Sequence, residues 1–147
     1  MDSSFEYSTH SDSPPHDATL NATPLNSAQV EQLFKDSGAL LEGHFLLASG
    51  RHSSRYIEKF RVLEQPILAT RLCGEIARRF ANDKIATVVG PVTGGILLAF
   101  DVARQLGCRA VYAERDESGN GFALRRGFQI ARGERVLVVE DLSLIHI

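Results

Sequence analysis

Arg135-Val136-Leu137-Val138-Val139-Glu140-Asp141 sets four consecutive apolar residues, three of them β-branched, directly before two adjacent carboxylates. An apolar run without polar alternation suits a strand covered on both faces, as in the middle of a parallel sheet with helices around it. Ligands of such sheets collect beyond the carboxyl ends of the strands, which is where Glu140 and Asp141 fall. Working outward, Lys84-Ile85-Ala86-Thr87-Val88-Val89 predicts a second buried strand. It runs through Gly90-Pro91-Val92-Thr93-Gly94-Gly95 into a helix from Ile96 to Leu106 that Gly107 ends. Arg109 to Glu114 predicts a third strand, Arg115 to Phe122 a mobile linker, and Leu124 to Ile130 a further strand before the turn Ala131-Arg132-Gly133-Glu134. Strand, helix, strand and a return into another strand make an α/β domain with a mainly parallel sheet.

Upstream, Pro66 opens a helix whose Leu68, Leu72 and Ile76 recur every four residues, with Arg71, Glu75 and Arg78-Arg79 opposite. Before it, His44 to Lys59 reads as two short strands joined by the polar turn Ser49 to Ser54, outside the main sheet. A helix starts at Asn26-Ser27, carries Val30, Leu33 and Phe34 on one side, and stops at Gly38. Residues 1–25 are rich in Ser, Thr, Asp and Pro without a period and are expected to form a disordered arm. Residues 26–141 form the domain.

The composition bounds the function. The chain has 147 residues, 44% of them hydrophobic and 23% charged, with a formal net charge of −2. That supports one core and lacks the basic excess of a nucleic-acid binder. No stretch reaches the ~18 apolar residues of a membrane span, and the N-terminus lacks the pattern of a secretory signal. Cys73 and Cys108 offer neither a metal spacing nor a disulfide framework, so they are expected to be reduced thiols in a cytoplasmic protein.

Gly90 to Gly95 stands where backbone N–H groups and a helix dipole can hold a phosphate, or where glycine serves only tight packing. It is neither a P-loop nor a dinucleotide-binding turn, because both glycine spacings are absent. Adjacent acids at a strand end suit the paired hydroxyls of a ribose or, alternatively, a Mg²⁺ ion.

With these elements in place the chain resembles the orotate phosphoribosyltransferases of the type I phosphoribosyltransferase family. The resemblance rests on Gly38 to Gly50 with Ser53, Gly90 to Gly95, Leu124-Arg125-Arg126-Gly127-Phe128 and Val136 to Asp141. It implies a parallel sheet flanked by helices with a small N-terminal hood. The implied activity is transfer of ribose 5-phosphate from phosphoribosyl pyrophosphate to orotate, with Mg²⁺ as cofactor and pyrophosphate as the leaving group, in a homodimer. By resemblance Thr93, Gly94, Glu140 and Asp141 bind the sugar donor, and Phe45, Ser49, Gly50 and Tyr56 form the orotate side. Arg115 is the catalytic cation of a mobile loop that reaches the partner subunit. A non-catalytic sensor of phosphoribosyl pyrophosphate on the same fold, or a transferase using a purine base, are the alternatives.

Three departures stand out. Ala48 replaces a lysine common before the Ser-Gly pair, and the loop from Asp116 to Gly121 lacks the family's lysines and histidine, leaving Arg115 or Arg125-Arg126 to substitute. After Asp141 the Thr- and Gly-containing phosphate loop is replaced by Leu142-Ser143-Leu144-Ile145-His146-Ile147. Residues 142–147 therefore read as an aberrant tail on a domain missing its C-terminal part, and the piece alone is expected to be inactive.

Overall fold

The computed structural model describes residues 23–47, 49–119 and 121–141. The arm up to residue 22, Ala48, Asn120 and the tail 142–147 lie outside the described residues. The arm's end is in view, where the Leu25 N–H donates to Glu75 Oε1 at 3.0 Å.

Helix α1 (Ser27–Asp36) begins as its sequence predicts. Asn26 and Gln29 exchange side-chain to backbone bonds at each other's N–H groups, a capping box that satisfies two otherwise orphaned donors. Strands β1 (Leu40–Leu46) and β2 (His52–Ile57) pair antiparallel, with a bulge between Glu42 and Phe45. Across this hairpin His44 Nε2 lies 2.7 Å from His52 Nδ1. The hairpin forms its own two-stranded sheet, as expected of a hood. A short helix α2 (Phe60–Leu63) leads to α3 (Pro66–Phe80), with Pro66 in the first turn.

The main sheet follows: β3 (Thr87–Pro91), α4 (Gly94–Leu106), β4 (Arg109–Arg115), β5 (Phe122–Leu124) and β6 (Val136–Val138). Its spatial order is β5-β4-β3-β6, with β3 parallel to both β4 and β6 and β5 antiparallel to β4. Gly107 ends α4 in the left-handed region at φ 68°, which a residue without a Cβ adopts freely.

Pleating divides the apolar residues between two layers. Val88 and Val139 meet Cys73 and Ala77 of α3 and Ala99, Val102 and Ala103 of α4 in the larger cluster. Burial first, then the charge of and hydrogen bond to Asp101, push the Cys73 thiol up to about 12. Cys108 is also free, so both cysteines are thiols as expected. On the other face Val89, Val111 and Ala113 are covered by Leu124, Phe128 and Ile130.

The opening run is a strand parallel to β3, the outermost among the described residues, with Val138 67% exposed; two other expectations change. The central strand is β3, buried at every residue. The strand expected from Leu124 to Ile130 stops at Leu124, because Arg126 and Gly127 both take positive φ and turn the chain. The expected linker is shorter: Arg115 and Phe122 pair as the last rung of the β4–β5 hairpin. Its turn is held by the Asp116 N–H to the Gly121 carbonyl at 3.0 Å and the Gly119 N–H to the Asp116 carbonyl at 3.1 Å.

Candidate functional site

The carboxyl ends of β3 and β6 bring the glycine turn and the acidic pair together. After Pro91 the chain passes a cis Val92–Thr93 peptide and enters α4 at Gly94. The Val92 N–H donates to the Ala113 carbonyl at 3.0 Å, which ties the turn to β4. Thr93 is exposed at the N-cap and makes no side-chain cap bond.

Two glycines make the approach possible. A Cβ on Gly90 would collide with the Gly95 carbonyl, so β3 and the first turn of α4 meet backbone to backbone. A Cβ on Gly94 would collide with Asp141 Oδ2 and stand 2.7 Å from Asp141 Cγ and 3.1 Å from Leu63 Cδ1. The Asp141 carboxylate therefore rests on the first turn of α4, where the partial positive charge of the helix N-terminus favours an anion.

Asp141 has a cation as well. Lys59 Nζ lies 2.6 Å from Asp141 Oδ2, with the Asp141 side chain 10% exposed and the Lys59 side chain 32% exposed. This is a close ion pair rather than an aligned hydrogen bond. Glu140 is exposed beside it. Both acids border a cleft of about 240 Å³ whose walls include Phe34 and Ile57 of the hood unit and Leu72, Ile76 and Leu98 of α3 and α4.

The other expected site residues lie elsewhere on the molecule's elements. The Phe45 and Tyr56 rings face each other across the hairpin with centroids 5.6 Å apart. Ser49 and Gly50 sit exposed in its turn, where the Gly50 N–H donates to the Leu47 carbonyl at 2.8 Å. None of these four lines the cleft that holds Glu140 and Asp141. Arg115 ends β4, its guanidinium 5.3 Å from the Phe122 ring centre and its Nη1 donating to the Gly119 carbonyl at 3.3 Å. No carboxylate pairs with it among the described residues. Arg126, by contrast, donates to Glu114 Oε1 at 2.8 Å. That bond, with the Arg126 and Arg125 charges behind it, holds the Glu114 carboxyl below its ordinary value. Arg126 is thereby committed to a local pair, while Arg125 keeps only a 3.9 Å contact with Glu117.

Sequence reasoning missed Lys59. It lies two residues after β2 of the hood, and nothing in its neighbourhood marks it, because its partner comes from the far end of the chain.

The donor set also bears on Mg²⁺. Glu140 and Asp141 supply adjacent oxygen ligands, and no group of three or more His, Cys, Asp or Glu side chains is gathered among the described residues. One or two carboxylates completed by water and substrate phosphates is the usual setting for this ion. The residues fit a Mg²⁺ that arrives with a phosphorylated ligand.

Comparison with known proteins agrees with this geometry. The family model of the phosphoribosyl transferase domain matches residues 61–143. The chain is 48% identical over 118 residues to the orotate phosphoribosyltransferase of Caldicellulosiruptor bescii, covering 80% of this chain and 61% of the relative. It is 51% identical over 115 residues to that of Pelotomaculum thermopropionicum, covering 78% and 59%. The chain thus spans about three fifths of the length of these curated relatives. Among solved structures, orotate phosphoribosyltransferase from Aeropyrum pernix superposes with a TM-score of 0.53 at 30% identity, covering 65% of this chain and 55% of that one. With more than half its length matched by the domain model and the acidic strand end and glycine turn inside the match, the chain belongs to the phosphoribosyl transferase domain family.

Proposed function

We propose that the protein transfers ribose 5-phosphate from phosphoribosyl pyrophosphate to N1 of orotate, giving orotidine 5′-monophosphate and pyrophosphate. The observation that carries this is the placement of Glu140 and Asp141 at the end of β6 against the first turn of α4. The names of the relatives support the choice of base. In the reaction the C1′–O bond to pyrophosphate breaks and the C1′–N1 bond forms as orotate N1 gives up its proton.

Each residue has a role on this reading. Glu140 and Asp141 accept hydrogen bonds from the ribose hydroxyls, each bond to a charged acceptor contributing about 1.5–3 kcal/mol. Thr93 and Gly94 present the start of α4 to the pyrophosphate, where the helix dipole favours negative charge. Arg115, without a carboxylate partner among the described residues, meets the charge that grows on the leaving pyrophosphate. Phe45, Ser49, Gly50 and Tyr56 form the orotate side, and the loop that carries Arg115 covers the site to exclude water. Glu140 and Asp141 are the carboxylates that would hold a Mg²⁺ ion arriving with the donor, and such an ion would supply positive charge to the leaving pyrophosphate.

Residues 26–141 are the part of the domain this chain contributes. A cytoplasmic homodimer belongs to this reading; the two free thiols are compatible with it, and Ile67, Leu97 and Phe100 are exposed apolar side chains. No helix among the described residues is long and apolar enough to cross a membrane. The direct test is pyrophosphate release from phosphoribosyl pyrophosphate and Mg²⁺ in the presence of orotate, adenine or no base. Release that requires orotate is expected. Release driven by adenine, or binding of the sugar donor without turnover in the complete protein, would overturn the assignment.

A further inference from the structure

Asp141 is held from three sides before any ligand arrives. Its Oδ2 is sealed from solvent, faces the α carbon of Gly94, and lies 2.6 Å from Lys59 Nζ. The Asp141 side chain still keeps 10% of its surface exposed although Oδ2 is sealed, and Asp141 borders the cleft together with exposed Glu140. A carboxylate offers about four acceptor positions, so a cation on Oδ2 leaves Oδ1 able to take a hydroxyl.

We propose that Lys59 is a positioning residue of the sugar-donor site, fixing Asp141 through Oδ2 so that Oδ1 is an aimed acceptor. The inference rests on the reading that Glu140 and Asp141 meet the ribose of the donor. It adds a group that the acidic strand end alone does not contain.

Two physical arguments support it. A carboxylate already ordered by a cation and a helix terminus loses little freedom when it accepts a hydroxyl, which is the advantage of preorganisation. The donor is also a polyanion, and two neighbouring carboxylates would repel it. One ammonium group next to Asp141 removes half of that local negative charge. Lys59 further joins the two parts of the site. It follows β2 of the hood unit, whereas Asp141 follows β6 of the main sheet. Lys59 and Phe60 are adjacent, with the ammonium 5.4 Å from the ring centre, so the ring gives the cation a second favourable neighbour.

The test uses the full-length protein carrying Lys59→Gln, Lys59→Met, Lys59→Arg, Asp141→Asn, or Lys59→Gln with Asp141→Asn. Binding of phosphoribosyl pyrophosphate with Mg²⁺ and of orotate is measured by titration calorimetry, with a thermal melt of each variant. Lys59→Gln is expected to raise the donor Kd at least tenfold while orotate binding stays within twofold. Lys59→Arg should recover most of the loss. In the Asp141→Asn background, Lys59→Gln should add no more than twofold. Lys59→Met keeps the apolar stem and serves if the Gln variant does not melt cooperatively. Equal weakening of both ligands with a lowered melting temperature would reduce Lys59 to a structural contact and overturn the proposal. So would a donor Kd within twofold for Lys59→Gln while Asp141→Asn weakens it tenfold. If Asp141→Asn also leaves donor binding unchanged, it is the assignment of the acidic pair that fails.

Discussion

Gly94→Ala should separate ligand binding from stability. The added methyl would collide with Asp141 Oδ2 and stand 2.7 Å from its Cγ and 3.1 Å from Leu63 Cδ1. Two effects on stability oppose each other. Alanine gains up to about 1 kcal/mol over glycine in a helix. Forcing an extra methyl into a filled space costs about 1–3 kcal/mol. The atoms in the way belong to side chains, so the clash is relieved when Asp141 rotates toward the cleft and leaves Lys59. The net change in stability should stay within about 2 kcal/mol. Donor binding should suffer more plainly, because displaced Asp141 no longer presents its acceptor. Loss of one hydrogen bond of about 1.5–3 kcal/mol corresponds to roughly a ten- to hundredfold rise in Kd. Gly90→Ala is the contrast, since there the methyl meets the Gly95 carbonyl, which cannot rotate away. That variant should lose much of its folded population. Thermal melts and donor titrations of both variants decide the matter. A Gly94→Ala protein with donor affinity within twofold of the parent would refute the reasoning. So would a collapse of its stability that Asp141→Ala does not repair.

Four further outcomes are expected. Glu140→Ala with Asp141→Ala should weaken the sugar donor by about 3–5 kcal/mol, at least a hundredfold, and leave orotate binding nearly unchanged, as read by titration of each ligand. Arg115→Ala should lower the single-turnover rate by about 2–3 kcal/mol with an unchanged melting temperature; a rate within twofold would return Arg115 to an ordinary loop arginine. Glu134 is held below its ordinary value of 4.5 by hydrogen bonds from Thr87 and the Ala131 N–H and by the Arg109 charge. Its contribution to stability is therefore complete above pH 4.5 and is lost as the pH falls through the lower folded value, so Glu134→Gln should flatten the acid limb of a stability–pH curve. Cys73, its thiol pushed up to about 12, should resist a thiol reagent at pH 8 in the native protein and react promptly in guanidinium chloride.

The helix boundaries were legible because their signals are local. Asn26, Pro66 and Gly107 each act within a turn or two of where they stand, whereas the short helix α2 carried no such signal. Strand position was less legible. Lys84 to Val89, with Lys84 and Thr87 among its apolar residues, and the unbroken run Val136 to Val139 both predict buried strands, yet β3 is buried at every residue while β6 is the outermost strand among the described residues. Such a run reports that a strand has apolar neighbours, not how many strands lie beyond it. Phe128 and Ile130 misled for a related reason. They are apolar because they cover Val89, Val111 and Ala113, and a covering segment needs buried side chains without needing a ladder.

The acidic pair was legible from a rule of topology, since ligands of parallel sheets gather beyond the strand ends. What makes Asp141 different from Glu140 was not. Adjacent residues in an extended chain point to opposite sides. Here one carboxylate is exposed while the other is folded under a helix start and a lysine. Both features come from chain far away in sequence. Gly94 must lack a side chain to receive the carboxylate, and Lys59 must be carried there by the hood. In sequence the two acids are equals, and the fold gives them unequal surroundings. On the proposed reading Asp141, fixed and charge-compensated, suits a constant aim at one hydroxyl, whereas Glu140, exposed and without a cation beside it among the described residues, is the one free to follow a ligand.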